Sequence, residues 1–250
     1  MVLSNLWSKK PRYILKHDRN QIIDLIRGVD IVLMVLFNYS VTLRYFRLIN
    51  VSSDFLYWSV FPAFVASIFI FLSGTAARIS FKKNKANFSR RYFLRGAELV
   101  IFAAFITLFT YIFTPEKTIF FGILHFFAVS SFLIPFFIKY NKLNLIAGLS
   151  ITIFGLYLQQ KEFNFSYLFW LGFMPENFST FDYFPILPWL GVLLLGIYLG
   201  EYINDRTADM KIKNKLAGIF VFFGKNSLTI YLIHQPILIF LLIISGFKLF

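Results

Sequence analysis

The chain has 250 residues, of which 58% are hydrophobic and 15% charged, with a mean hydropathy of +0.69. A soluble domain carries about 45–50% apolar and about 25% charged residues, so the composition excludes an ordinary soluble domain and predicts a polytopic membrane protein. The net charge of +13 sits in short loops between apolar runs, where membrane proteins keep cytoplasmic Lys and Arg, and this excludes a nucleic-acid partner.

Residues 1–21 read as a basic cytoplasmic tail (Lys9, Lys10, Arg12, Lys16, Arg19). No short apolar region with a small-residue cleavage site follows, so the tail is not a cleaved signal peptide. Residues 22–250 read as a single transmembrane domain. A helical span needs about 20 apolar residues. Span one covers about Ile22 to Thr42, yet it carries Asp24, Arg27, Asp30 and Asn38. Such groups are costly against lipid and face a protein interior or a wet cavity. At helical spacing Asp24, Arg27, Gly28, Ile31, Met34, Val35 and Asn38 share one face.

Span two covers about Phe55 to Ile79, and a basic loop follows (Lys82, Lys83, Lys85, Arg90, Arg91). Span three, about Tyr92 to Phe113, opens with Arg95 and Glu98 at pairing distance on a helix. Span four, about Ile119 to Ile138, contains His125. Span five, about Leu143 to Leu158, is short, and an aromatic-rich loop from Gln159 to Tyr183 follows it, as at a membrane–water interface. Span six, about Phe184 to Ile203, opens with Pro185 and Pro188. The last apolar region is interrupted by Gly224-Lys225-Asn226-Ser227, which predicts a short helix, a break and span seven from about Leu228. Pro236 is expected to kink span seven, because its ring clashes with the carbonyl of Leu232. The fold class is therefore all-α: a transmembrane bundle of about seven spans plus a short broken helix. Placing the N-terminus inside puts most loop Lys and Arg on the inner face and the C-terminus outside.

Depth narrows the chemistry. At about 1.5 Å per residue, Asn38 lies about 20 Å beyond Asp24, in the outer half of the membrane. His125, two turns into a span of opposite direction, reaches the same level, and Asp182 approaches it from the outer loop. A histidine with a carboxylate is a general-base pair; the structural alternative is that His125 bonds a neighbouring helix. His234 precedes Pro236 and either contacts a ligand or satisfies the carbonyl freed at Leu232. Asp24 and Arg27 either hold an anionic ligand near the cytoplasmic mouth or form a local salt bridge. There is no cysteine, hence no disulfide or thiolate nucleophile. His17, His125 and His234 are too scattered for a metal motif.

Several blocks in order carry a resemblance. Asp24-Leu-Ile-Arg27-Gly28 followed by Leu33-Met34-Val35-Leu36-Phe37-Asn38-Tyr39 resembles the opening helix of the heparan-α-glucosaminide N-acetyltransferase catalytic-domain family. Gly122-Ile-Leu-His125-Phe, the Asp182-Tyr-Phe-Pro185-Ile-Leu-Pro188-Trp189-Leu-Gly191 block and Asn226-Ser227-Leu-Thr-Ile-Tyr231-Leu-Ile-His234-Gln-Pro236 are similar to its small prokaryotic members. The resemblance implies a membrane acyltransferase that takes an acyl group from cytosolic acetyl-CoA or another acyl-CoA, without a metal. The acceptor would be an amine or hydroxyl, such as that of a sugar, at the outer face. On this basis His125, Asn38 and Asp182 are the catalytic candidates, and Asp24, Arg27, His234 and Asn226 the cofactor-binding ones. The partners expected are the bilayer of a prokaryotic cell membrane, acyl-CoA and the acceptor, with a homodimer as the candidate assembly. One departure is clear: the family's lysosomal enzyme has its catalytic histidine between the first and second spans, and residues 40–61 here contain none. The rival class is a transporter or lipid-binding protein using the same polar cavity.

Overall fold

The structure is a computed structural model that describes residues 19–49 and 54–246. The basic tail therefore lies outside the described residues except for its last three positions. Among the described residues there are eight α-helices: α1 (Gln21–Tyr45), α2 (Phe61–Lys83), α3 (Phe88–Phe113), α4 (Ile123–Phe137), α5 (Asn141–Leu158), α6 (Ile186–Thr207), α7 (Lys215–Lys225) and α8 (Ser227–Ile244). Five helical stretches are long and apolar enough to cross a membrane: Leu56–Lys83, Phe88–Phe113, Asn141–Leu158, Ile186–Thr207 and Ser227–Ile244. The chain is thus an all-α, polytopic membrane helix bundle.

The elements begin and end where local chemistry requires. Asn20 accepts from the amides of Ile22 and Ile23 at 3.1 and 3.2 Å, capping α1. Its amide also donates to Thr207 Oγ1 at 2.7 Å, tying the start of α1 to the end of α6. Asn214 caps α7 through Leu216 N at 2.8 Å. Two lengths differ from the sequence reading. A turn of π-helix at Leu56–Val60 leads into α2. The fourth apolar run is helical only from Ile123, because Ile119 and Phe121 use their carbonyls elsewhere: Thr107 Oγ1 donates to Ile119 O at 2.7 Å and Phe184 N to Phe121 O at 2.9 Å. The aromatic loop holds a two-residue parallel strand pair, Glu162–Phe163 beside Met174–Pro175, too short to show an alternation pattern. In α6, Leu187 is extended (φ −98°, ψ 127°), so the regular helix begins at Pro188.

The core lies around α4, whose Phe126, Phe127, Ile134 and Pro135 are buried, and around α6, where Leu193, Leu194 and Ile197 have no accessible surface. Helix α6 packs between α2 and α5, α3 covers α4, and α1 packs against α2, α7 and α8. Lipid tails are as apolar as leucine side chains, so helices in a membrane associate by close packing, and small residues permit it. The closest approach joins α1 to α7. A Cβ on Gly28 would overlap the carbonyl oxygen of Phe220 and lie 3.0 Å from Gly224 N; a Cβ on Gly224 would overlap the carbonyl oxygen of Asp24 and lie 3.0 Å from Gly28 N. The two backbones touch, with no side chain between them.

This crossing generates a stability test. Gly28→Ala and Gly224→Ala should each destabilise by at least about 1–3 kcal/mol through overpacking, read as a lower Tm in detergent. Gly218→Ala, whose Cβ would meet nothing within 4 Å, should be neutral or slightly stabilising, since alanine favours helix over glycine. Equal melting temperatures for all three variants would refute the backbone crossing.

Candidate active site

Beyond the glycine crossing, α1 and the α7–α8 segment run parallel. Gln21 Oε1 accepts from Ile212 N at 2.8 Å, Gly28 meets Gly224, and higher up Asn38 meets His234 and Thr42 meets Gln235. Asn38 and His234 are 196 residues apart, the same offset as Gly28 and Gly224. Ten residues on each side, continuous helix in α1 (about 15 Å of rise) and helix interrupted by the Asn226 turn in α7–α8, carry the chains from the glycine contact to the polar pair.

Asn38 Nδ2 lies 3.3 Å from His234 Nε2, and His234 Nδ1 lies 2.5 Å from the carbonyl oxygen of Tyr231. A carbonyl only accepts, so Nδ1 carries the proton and donates to Tyr231 O. Nε2 is then an unprotonated lone pair that accepts from the Asn38 amide. The imidazole is held from behind by backbone, with its basic nitrogen turned toward an amide on α1. Gln235 Nε2 donates to Thr42 Oγ1 at 2.7 Å, and Thr42 donates to Asn38 O at 2.9 Å, pinning the two helices just beyond the pair. Of the two alternatives for His234, the structural one takes a different form: the ring bonds the carbonyl of Tyr231 and not that of Leu232.

His125 is bonded differently. Thr107 spends its one hydroxyl proton on Ile119 O, so its oxygen accepts from His125 Nε2 at 3.0 Å, and Nδ1 accepts from Gly122 N at 3.2 Å. Both ring nitrogens are used in fastening the start of α4 to α3. Asp182 reaches the same helix start: its Oδ2 accepts from Ile123 N at 2.8 Å, and the Tyr231 hydroxyl of α8 lies close enough to its carboxylate to act on it electrostatically. A carboxylate at a helix N-terminus is favoured by the exposed amides and the helix dipole. Asp182 thus links the α4 terminus, the lead into α6 and α8. His125 and Asp182 are neighbours through Gly122–Ile123, but each bonds backbone and not the other. Asn38 meets His234 and not His125.

The inner candidates also separate. Arg19 Nε bridges the Asp24 carboxylate, 3.0 Å from Oδ1 and 2.8 Å from Oδ2. Arg27 leaves Asp24 and donates from Nη2 to Leu72 O on α2 at 3.1 Å. Arg95, expected to pair with Glu98, instead lies against the Tyr92 ring, 5.9 Å from its centroid, and lines a cavity of about 80 Å³ with Arg27, Ser73, Ser227 and Leu228 among the other walls. Asn226 turns back to donate to Phe222 O at 2.9 Å. Asp30 is 3% exposed and neither carboxylate oxygen has a hydrogen-bond partner among the described residues.

Sequence reasoning missed Thr107, Arg95 and Ser73 as members of these clusters. Tyr231 stood in a recognised block, four residues after Ser227, but its place beside Asp182 depends on the packing of α8. Among the described residues no group of three His, Cys, Asp or Glu side chains is placed to hold a metal ion.

The family model for heparan-alpha-glucosaminide N-acetyltransferase, catalytic, matches residues 19–236. Neither the curated proteins nor the solved structures give a match.

The Asp182 cluster is testable by pH. Burial pushes its carboxyl from the ordinary 3.8 up to about 6, while the bond from Ile123 N and the nearby Tyr231 hydroxyl pull the other way. The folded protein therefore holds this proton more tightly than the unfolded chain. The group's contribution to stability is fully present below about pH 3.8 and is lost as pH rises through about 6. Asp182→Asn should flatten that part of a Tm-against-pH curve measured in detergent from about pH 4 to pH 7. A curve of unchanged slope would exclude Asp182 as its source.

Proposed function

The chain belongs to the heparan-alpha-glucosaminide N-acetyltransferase catalytic family, and from that premise we propose that it is an integral membrane acyltransferase. The donor is acetyl-CoA or a related acyl-CoA, and the acceptor is an amine or hydroxyl, with a sugar as the chemical class the family name suggests. Seven spans (α1 to α6 and α8) cross the bilayer, with the basic loop between α2 and α3 and the N-terminus in the cytoplasm and the C-terminus outside.

The observation that carries this reading is the Asn38–His234 pair. His234 Nε2 takes the proton of the acceptor's hydroxyl or amine. The acceptor oxygen or nitrogen attacks the thioester carbonyl carbon, the carbon–sulfur bond breaks, and the imidazolium returns the proton to the departing sulfur. No covalent enzyme intermediate is needed. Asn38 has two amide hydrogens; one engages His234 and the other is available to the developing oxyanion, a type of contact worth about 2.7–4 kcal/mol in other enzymes. The geometry favours His234 over His125 as the base: its Nε2 accepts only from the side-chain amide of Asn38 at 3.3 Å, which can turn aside to admit the acceptor, whereas the acceptor nitrogen of His125 is held by the backbone amide of Gly122 at the start of α4. It also answers the missing histidine in residues 40–61: the base reaches Asn38 from α8. His125 and Asp182 serve this site as positioning residues that hold α4 and, through Tyr231, α8. On this reading Asp24 steadies the inner end of α1 with Arg19, and Arg27 and the Asn226–Ser227 turn flank the donor's path.

The test is thiol release from acetyl-CoA by the purified protein in lipid nanodiscs with amine and sugar acceptors. His234→Ala should lower kcat by about 10²–10⁴ and Asn38→Ala by about 10²–10³. His125→Ala should lower Tm more than kcat. The rate should also fall toward acid pH, as His234 Nε2 becomes protonated and can no longer accept a proton. Full activity of His234→Ala would remove the histidine from the mechanism, and thiol release by no acceptor at all would remove the function.

A further inference from the structure

Two guanidinium groups line one cavity inside the bundle. Arg27 reaches it from α1 and Arg95 from α3; Ser73 from α2 and Ser227 from the first turn of α8 complete its polar wall, and Phe69, Leu99, Phe127 and Leu228 its apolar one. Neither arginine forms an ion pair with a carboxylate of the described residues. Asp24 and Asp30 act on Arg27 electrostatically, but neither lines the cavity. The two arginines act on each other as like charges.

Arg27 is half-buried and Arg95 exposed, so water screens part of their repulsion, and an anion seated between them would oppose what remains. Further donors face the same space. Arg27 commits one Nη2 contact to Leu72 O, which leaves most of its five N–H groups available. Helix α8 starts at Ser227 with no side-chain cap from Asn226, so its first amides and its dipole favour an anion. The cavity volume of about 80 Å³ is several times the roughly 10–15 Å³ that one water requires on this measure, enough for a tetrahedral oxyanion.

We propose that the Arg27–Arg95 cavity, closed by the N-terminal turn of α8, is a phosphate-binding site. Its ligand is a phosphate ester or diphosphate, held by forked contacts from both guanidiniums and by the α8 amides and the Ser227 hydroxyl. The same chemistry is presented by the phosphates of an acyl-CoA donor and by the headgroup of an anionic lipid. The first source rests on the acyl-transfer reading above; the second does not.

The experiment is thermal unfolding of the full chain in phosphatidylcholine nanodiscs, titrated with inorganic pyrophosphate or acetyl-CoA, with a parallel arm in phosphatidylglycerol nanodiscs. Pyrophosphate should raise the Tm of the wild type. Arg95→Gln, on an exposed part of α3, should keep the ligand-free Tm and weaken that effect by about 10- to 100-fold in apparent affinity. Arg95→Lys, which keeps the charge without the planar fork, should lose a smaller part. Arg95-dependent stabilisation by acetyl-CoA assigns the site to the donor, and Arg95-dependent stabilisation by phosphatidylglycerol alone assigns it to lipid; either supports the site. The proposal is overturned if no arm stabilises the wild type, or if stabilisation is undiminished in Arg95→Gln. Thiol release that persists in that event leaves acyl transfer standing, and pyrophosphate binding without thiol release leaves the phosphate site standing alone.

Discussion

The backbone contact between Gly28 and Gly224 is the constraint on which the rest depends. Inside a bilayer no hydrophobic force draws one apolar helix to another, so association rests on how closely backbones can approach. At this crossing the carbonyls of Asp24 and Phe220 occupy the space a methyl group would need. The contact fixes the register of α1 against the α7–α8 segment, and everything polar on α1 is positioned by that register: Arg27 beside the start of α8, Asn38 beside His234, Thr42 beside Gln235.

The two helix-borne histidines, His125 and His234, show how one side chain serves opposite ends. At His125 a backbone amide fills one nitrogen and a threonine hydroxyl the other, and the result is a joint between α3 and α4. At His234 a backbone carbonyl fixes the protonated nitrogen, and the second nitrogen faces only the exchangeable amide of Asn38. In a medium that cannot supply water, such bookkeeping of lone pairs decides which group is free to react. The carboxylates divide similarly. Asp24 is paired with Arg19, Asp182 accepts from a helix-terminal amide, and Asp30 is buried with no hydrogen-bond partner among the described residues.

Much of this was legible in the sequence, and for definite reasons. Apolar run length marked the helices, since a bilayer imposes it. Gly224-Lys225-Asn226-Ser227 marked the α7–α8 break, because glycine and asparagine disfavour continuation of a helix. Helical rise gave the separation of Asn38 from Asp24 along α1, but not the partner of Asn38; the choice between His125 and His234 depends on which helix lies beside α1. Arg95 and Glu98 had the spacing of a local pair, yet the Tyr92 ring and the cavity offered Arg95 another position. The strand pair in the aromatic loop spans two residues on each side, below the length at which any periodicity is visible.

The parallel course of α1 and α7–α8 also has a mechanical consequence. Bilayers differ in hydrophobic thickness, and spanning helices respond by tilting. Antiparallel neighbours joined by flexible side chains slide past one another as they tilt, and groups at a given height drift apart. Two parallel helices locked backbone to backbone near one end tilt as a single strut. Asn38 and His234 each lie ten residues past the lock on their own chains, so a change of tilt that leaves the lock intact carries the two side chains together, with the glycine contact as the fulcrum.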